Sequence, residues 1–170
     1  MGKGLPRSTS RQNAATSPIQ KQLFRVNNRV LAVANGAPGF GTVVIGDFPE
    51  GNILFLGAIA YLQFSTADAD VTATFDGDYS VGITPTADNV LSTTDADIIP
   101  STPLGAATGK LSPVVRGAST DALGGGILDN TDGSLELNLN LLIDDAAISG
   151  AADFTVNGYV QASFIVLGDD

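Results

Sequence analysis

Carboxylates are the groups in this chain best suited to chemistry. It has 16 Asp and two Glu, and no His or Cys at all. Three aspartate pairs are spaced i, i+2: Asp68/Asp70, Asp76/Asp78 and Asp95/Asp97. Two carboxylates converging in a cleft can divide acid and base work, or hold a calcium ion weakly. A working pair needs a tuned pKa in a cleft. These pairs sit instead among Gly, Thr and Asn, where Asp ordinarily closes β-turns through its side chain. The turn reading ranks ahead of the catalytic one.

Two short segments imitate known sites and fail on spacing. Gly105-Ala106-Ala107-Thr108-Gly109-Lys110 has the look of a phosphate-binding loop, but only three residues separate its glycines. Leu111 also stands where a magnesium-holding Ser or Thr is needed. Asp129-Asn130-Thr131-Asp132-Gly133 starts like a calcium loop. Its glycine comes fifth instead of sixth, and Asn140 occupies the twelfth place in lieu of Glu. The first reads as a loop entering a strand, the second as a tight turn opening one. Without His or Cys, Ser–His and Cys–His nucleophilic catalysis is excluded, along with soft metal ligation. The sequence predicts no catalytic residue, no metal and no cofactor. A binding and assembly role is expected, not an enzyme.

The elements holding these groups are strands. Leu, Ile, Val and Phe make up 49 of 170 residues, well beyond the roughly 20% below which a charged chain stays unfolded. Only two Glu and three Lys are present, so the residues that favour surface helices are missing. From Ser134 to Ile143, Leu135, Leu137, Leu139, Leu141 and Ile143 alternate with polar residues, which predicts a half-buried strand. Phe154 to Val166 alternates likewise, with Tyr159 on its polar side, and turns apolar on both sides at Ile165 and Leu167. Further strands are expected at 30–34, 42–48, 52–65, 71–75 and 79–84. Residues 110–115 and 126–128 re-enter the sheets, and 144–148 form one helical turn. Residues 85–104, with three prolines, read as an excursion of little regular structure. Short strands punctuated by Gly, Asp and Pro predict an all-β, antiparallel β-sandwich, with the jelly roll among its forms. Residues 52–65 and the last strand, apolar on both sides, predict a homo-oligomer. No apolar run reaches the ~20 residues of a membrane helix, so no membrane partner is expected.

Charge divides the chain. Residues 1–29 hold six basic and no acidic groups, +6; residues 30–170 hold two basic and eighteen acidic groups, −16. The first segment is too polar to bury itself and reads as an extended arm before a body at 30–170. Its partner-binding candidates are Lys3, Arg7, Arg11, Lys21, Arg25 and Arg29, with Leu23, Phe24 and Val26 as apolar anchors. An acidic protein surface is the expected partner. Nucleic acid is disfavoured, because six charges without interleaved aromatics are a thin footprint and the −16 body repels phosphate.

The stretches "LDNTDGSLELNLNLLIDDAAI", "TFDGDYSVGITPTADNVLS", "DADIIPSTPLGAATGKLSP" and "VNGYVQASFIVLGDD" resemble small virion structural proteins of tailed bacteriophages, of the capsid cement or decoration type. The resemblance covers roughly residues 42–170 and leaves out the arm. It implies a β-sandwich assembled as a homotrimer on the outer surface of the capsid, with the major capsid protein as partner. The group has no defined site motif, so no site residue is transferred. The competing expectation is a head-fibre or receptor-binding adhesin, disfavoured by 6% aromatics and no Trp.

Overall fold

Period-two alternation makes strands whose apolar sides must meet across a core. The computed structural model describes residues 19–36, 38–120 and 126–168. Their strands are β1 (Gln20–Ala34), β2 (Gly39–Asp47), β3 (Gly51–Ser65), β4 (Gly77–Gly82), β5 (Ile99–Pro103), β6 (Val115–Ala118), β7 (Ile127–Asn130), β8 (Glu136–Ile143) and β9 (Ala152–Gly168).

All pairings are antiparallel, and they nest: β4 with β5, β3 with β6, β2 with β8, β1 with β9. The strand order is β5-β4-β8-β2-β1-β9-β3-β6, with β7 beside β6 on the same edge of β3. Folding such a nested ribbon over itself gives the halves β1-β9-β3-β6 and β2-β8-β4-β5, which is jelly-roll order. The halves join at one corner, where β1 meets β2 only at Val33↔Gly41 and Ala34↔Phe40. At the far side Ser119 Oγ, just beyond β6, donates to the Ile98 carbonyl at 2.6 Å, almost closing the sandwich into a barrel. The expected all-β antiparallel sandwich is the fold found.

One half presents Phe24, Val26, Leu31, Phe55, Leu62, Phe64, Phe154 and Phe164 to the core; the other presents Tyr79, Val81, Ile99, Leu137, Leu139 and Leu141. Phe64 meets Tyr79 across the two halves at 5.7 Å between ring centroids. Phe48 bridges Phe24 and Phe164 edge-on, each at 5.8 Å.

Several boundaries differ from those read in the sequence. Residues 20–29 are not arm: they form most of β1, hydrogen-bonded along β9 from Gln20↔Phe164 to Arg29↔Val156. What hid this is a bulge at Asn27 and Asn28, where Asn28 adopts φ +48 and its N–H donates to Asn157 Oδ1 at 2.8 Å. Asn tolerates this left-handed conformation better than most residues. The bulge reverses the phase: Phe24 and Val26 point inward before it, Leu31 and Val33 after it, and Val30 is left exposed. The 85–104 excursion contains a 3-10 turn at Thr93–Asp95 and then β5. Pro100 and Pro103 are tolerated there because β5 is an edge strand. The strand expected at 71–75 is a loop: its β-bridge, Val71↔Ile148, lies outside the nine strands, and Phe75 packs edge-on against Phe154 of β9. β8 is buried on both sides, not one, since Asn138 and Asn140 are 2% and 0% exposed.

Candidate interaction face

The outer side of β1-β9-β3-β6 carries the most unusual chemistry in the molecule. Register puts Arg25 opposite Tyr159, Tyr159 opposite Tyr61, and Tyr61 opposite Arg116, one row across four strands. The two tyrosine rings stack at 5.3 Å between centroids with 29° between planes. The Arg116 guanidinium lies over the Tyr61 ring at 5.3 Å from its centroid. Stacking an arginine on an aromatic face restrains it without using up its donors. The next row is Leu23, Gln161, Ile59 and Ala118; beyond it Lys21 sits opposite Ser163. Leu23 and Ile59 are 43% and 41% exposed.

Beyond the Gly57 bulge the same side becomes aliphatic. Ile165, Leu54 and Ile127 form a row across β9, β3 and β7. Leu56, Leu167 and Ile127 are exposed at 46%, 51% and 63%. Here the sequence's expectation of two apolar faces on β3 and β9 holds: the second face is not covered by the chain's own described residues.

Of the predicted binding residues, Lys3, Arg7 and Arg11 lie outside the described residues. Lys21, Leu23 and Arg25 are exposed on the face just described. Phe24 and Val26 are not available to a partner; they are 4% and 2% exposed because they are core residues of β1. Arg29 is exposed but engaged: its Nη2 donates to the Val44 carbonyl at 2.9 Å. Gln22 Nε2 does the same to the Asp47 carbonyl at 3.1 Å. Both side chains span the cleft where the β1 and β2 backbones part. Tyr61, Tyr159 and Arg116 were missed as site residues. Tyr159 showed a trace, since it shares the polar side of its strand; Arg116 showed none, because only long-range register brings it to the row.

The aspartates serve turns. Asp68, Asp88, Asp129 and Asp132 each accept the N–H two residues on, at 2.9–3.1 Å. The imitation phosphate loop is a turn before β6 in which Lys110 Nζ donates to the Asp68 carbonyl. The imitation calcium loop connects β7 to β8, with Asn130 holding the Pro49 carbonyl at 2.8 Å and the Leu135 N–H at 2.7 Å. Among the described residues no group of three or more acidic side chains is placed to hold a metal ion.

Asp97 has the largest titration shift among the described aspartates. Burial, with a smaller push from Asp95, raises its carboxyl to about 6, against the pull of N–H groups such as that of Ile83. The unfolded chain loses this proton first, near the ordinary aspartate value of 3.8. Stability from this group is therefore complete below about pH 4 and falls as pH rises through about 6. Asp97→Asn should thus stabilise the protein by about 1–2 kcal/mol at pH 7.5, a figure reduced for partial exposure, and by almost nothing at pH 4. Paired urea unfolding curves at the two pH values check this. Equal effects at both would show that Asp97 is already ionised throughout.

Strand order and pairing define the class: a jelly-roll β-sandwich with a cationic, aromatic outer face. No protein-family model matches the chain, and no curated protein matches it in sequence.

Proposed function

We propose that this protein is a virion structural component of a tailed bacteriophage, a cement protein that docks on the outer surface of the capsid and stabilises the shell without catalysis. One observation carries the reading. In a chain of net charge −10, Lys21, Arg25 and Arg116 share one outer sheet face. That face begins where a segment containing Lys3, Arg7 and Arg11, and no acid, joins β1. A basic contact surface on an acidic body favours one orientation on an acidic shell and speeds encounter. The aliphatic end of the face, around Leu54, Leu56 and Ile127, suits burial against further copies, and a homotrimer is the expected assembly.

The test uses particles stripped of the protein. Deleting residues 2–29 would destroy β1, so the informative truncation removes residues 2–18. Full-length protein should rebind with an affinity that drops as salt shortens screening to about 8–10 Å, and should scatter light as a trimer. The truncated form should rebind at least about tenfold more weakly with a shallower salt dependence. Unchanged affinity and unchanged salt dependence would remove the arm from the docking mechanism.

A further inference from the structure

We infer that the row Arg25–Tyr159–Tyr61–Arg116 is a recognition site for an acidic, extended segment of a partner protein, bound through its carboxylates. The inference deepens the docking reading above by naming the surface and the chemistry it selects. Only eight basic residues accompany eighteen acidic ones in this chain, so a cation has abundant carboxylates to pair with on its own surface. Arg25 and Arg116 nevertheless have no carboxylate partner among the described residues. None of the outward residues in their row or in the Leu23–Ile59 row is acidic.

The row is also restrained before any partner arrives. Arg116 lies on Tyr61, and Tyr61 stacks on Tyr159, each contact at 5.3 Å. Less side-chain entropy is then lost when a carboxylate binds the guanidinium in bidentate fashion. Tyr and Arg are the residues most enriched at interface hot spots. Adjacent strands lie about 4.8 Å apart, so the two arginines are about 14 Å apart across three intervals. An extended segment rises about 3.3–3.4 Å per residue, which puts carboxylates at i and i+4 about 13–14 Å apart on one side. A segment laid across the strands would reach both guanidinium groups. A nucleic acid fits less well: exposed Leu23 and Ile59 adjoin the row and offer phosphate nothing, whereas a peptide can cover them.

The experiment titrates isotope-labelled full-length protein, followed by NMR, with the end-blocked peptide Glu-Thr-Leu-Thr-Glu. Its Gln-Thr-Leu-Thr-Gln counterpart and oligothymidylate serve as comparisons. The expected result is shift changes centred on Tyr61, Tyr159, Arg25 and Arg116 with the Glu peptide, at least tenfold weaker with the Gln peptide. Arg25→Gln with Arg116→Gln, both exposed and so tolerated by the fold, should weaken Glu-peptide binding at least tenfold. Changes elsewhere, no change at millimolar peptide, or tighter binding of oligothymidylate at the row would overturn the inference. The same double variant, added back to stripped particles, separates the two readings. Normal rebinding would overturn this row as the shell contact and leave the cement reading standing. Rebinding that fails in the wild type as well would remove the cement reading, while the peptide titration still decides the site.

Discussion

Gly158→Ala is expected to cost about 4 kcal/mol or more, a large share of the roughly 5–15 kcal/mol that holds a domain folded. Gly158 lies in the middle strand of three, opposite Val26 of β1 and Leu62 of β3. It adopts φ +136, and a methyl group there would sit 1.9 Å from the Tyr61 carbonyl oxygen and 3.1 Å from Leu62 Cα. Both neighbours are sheet backbone, so no side chain can rotate away. Relief requires β3 to separate from β9 where Tyr61 stacks on Tyr159, breaking the ladder and the aromatic row together. The internal control is Gly109→Ala. Its φ is +60, but nothing lies within 4 Å of the added methyl group, so only the left-handed backbone penalty of about 1–2 kcal/mol applies. Urea unfolding of both variants, with peptide binding where the fold survives, makes the comparison. Gly158→Ala no worse than Gly109→Ala would mean that β3 and β9 are far more loosely paired than their register indicates.

The legible parts of the sequence were those in which local pattern and final environment agree. β8 and β9 alternate cleanly in sequence, and they are interior strands; β3 was legible as a long apolar run, although its Gly57 bulge puts Phe55 and Ala58 on opposite parities with both facing the core. β1 failed because two local signals pointed the wrong way. Lys21, Arg25 and Arg29 read as a solvated arm, and the Asn27–Asn28 bulge sets Phe24 and Leu31 on opposite parities although both face the core. An alternation test over the whole segment cannot detect such a strand. The candidate site was half legible for a related reason. Charge along the chain pointed to Lys21 and Arg25, which are close in sequence. Tyr61 and Arg116 meet them only through pairings spanning tens of residues, and composition holds no trace of register. The outward residues of β8 were misread in the opposite sense: Asn138 and Asn140 look like solvent residues, and a loop packed over that side of the sheet is not visible in a period-two pattern.

Asn140 shows how much that covering loop matters. Its Oδ1 accepts the Thr86 N–H at 2.8 Å, and its Nδ2 donates to the carbonyls of Asp95 at 2.8 Å and Thr84 at 3.2 Å. Ser80 Oγ adds a second bond to the Asp95 carbonyl at 2.6 Å. One fully buried amide thus secures both ends of the segment from Thr84 to Asp95 on β8. Asn140→Leu keeps the side chain's approximate size but leaves the buried Thr86 N–H and Thr84 carbonyl without this partner. At about 1–3 kcal/mol for each unsatisfied group, the expected loss is about 3–4 kcal/mol. Asn140→Asp should be as damaging at pH 7.5, where a buried charge replaces two donated bonds. It should recover part of the loss at pH 4.5, because burial raises the introduced carboxyl's pKa and its protonated form regains one donor. Unfolding free energies at both pH values, with hydrogen exchange of the Thr86 amide, test the account. A loss below about 1 kcal/mol in Asn140→Leu would show that the loop is held by its other contacts. Because Asn140 belongs to the half of the sandwich opposite the Arg–Tyr row, peptide binding by the folded fraction should be unchanged in either variant. Stability and recognition are then separable properties of the two faces.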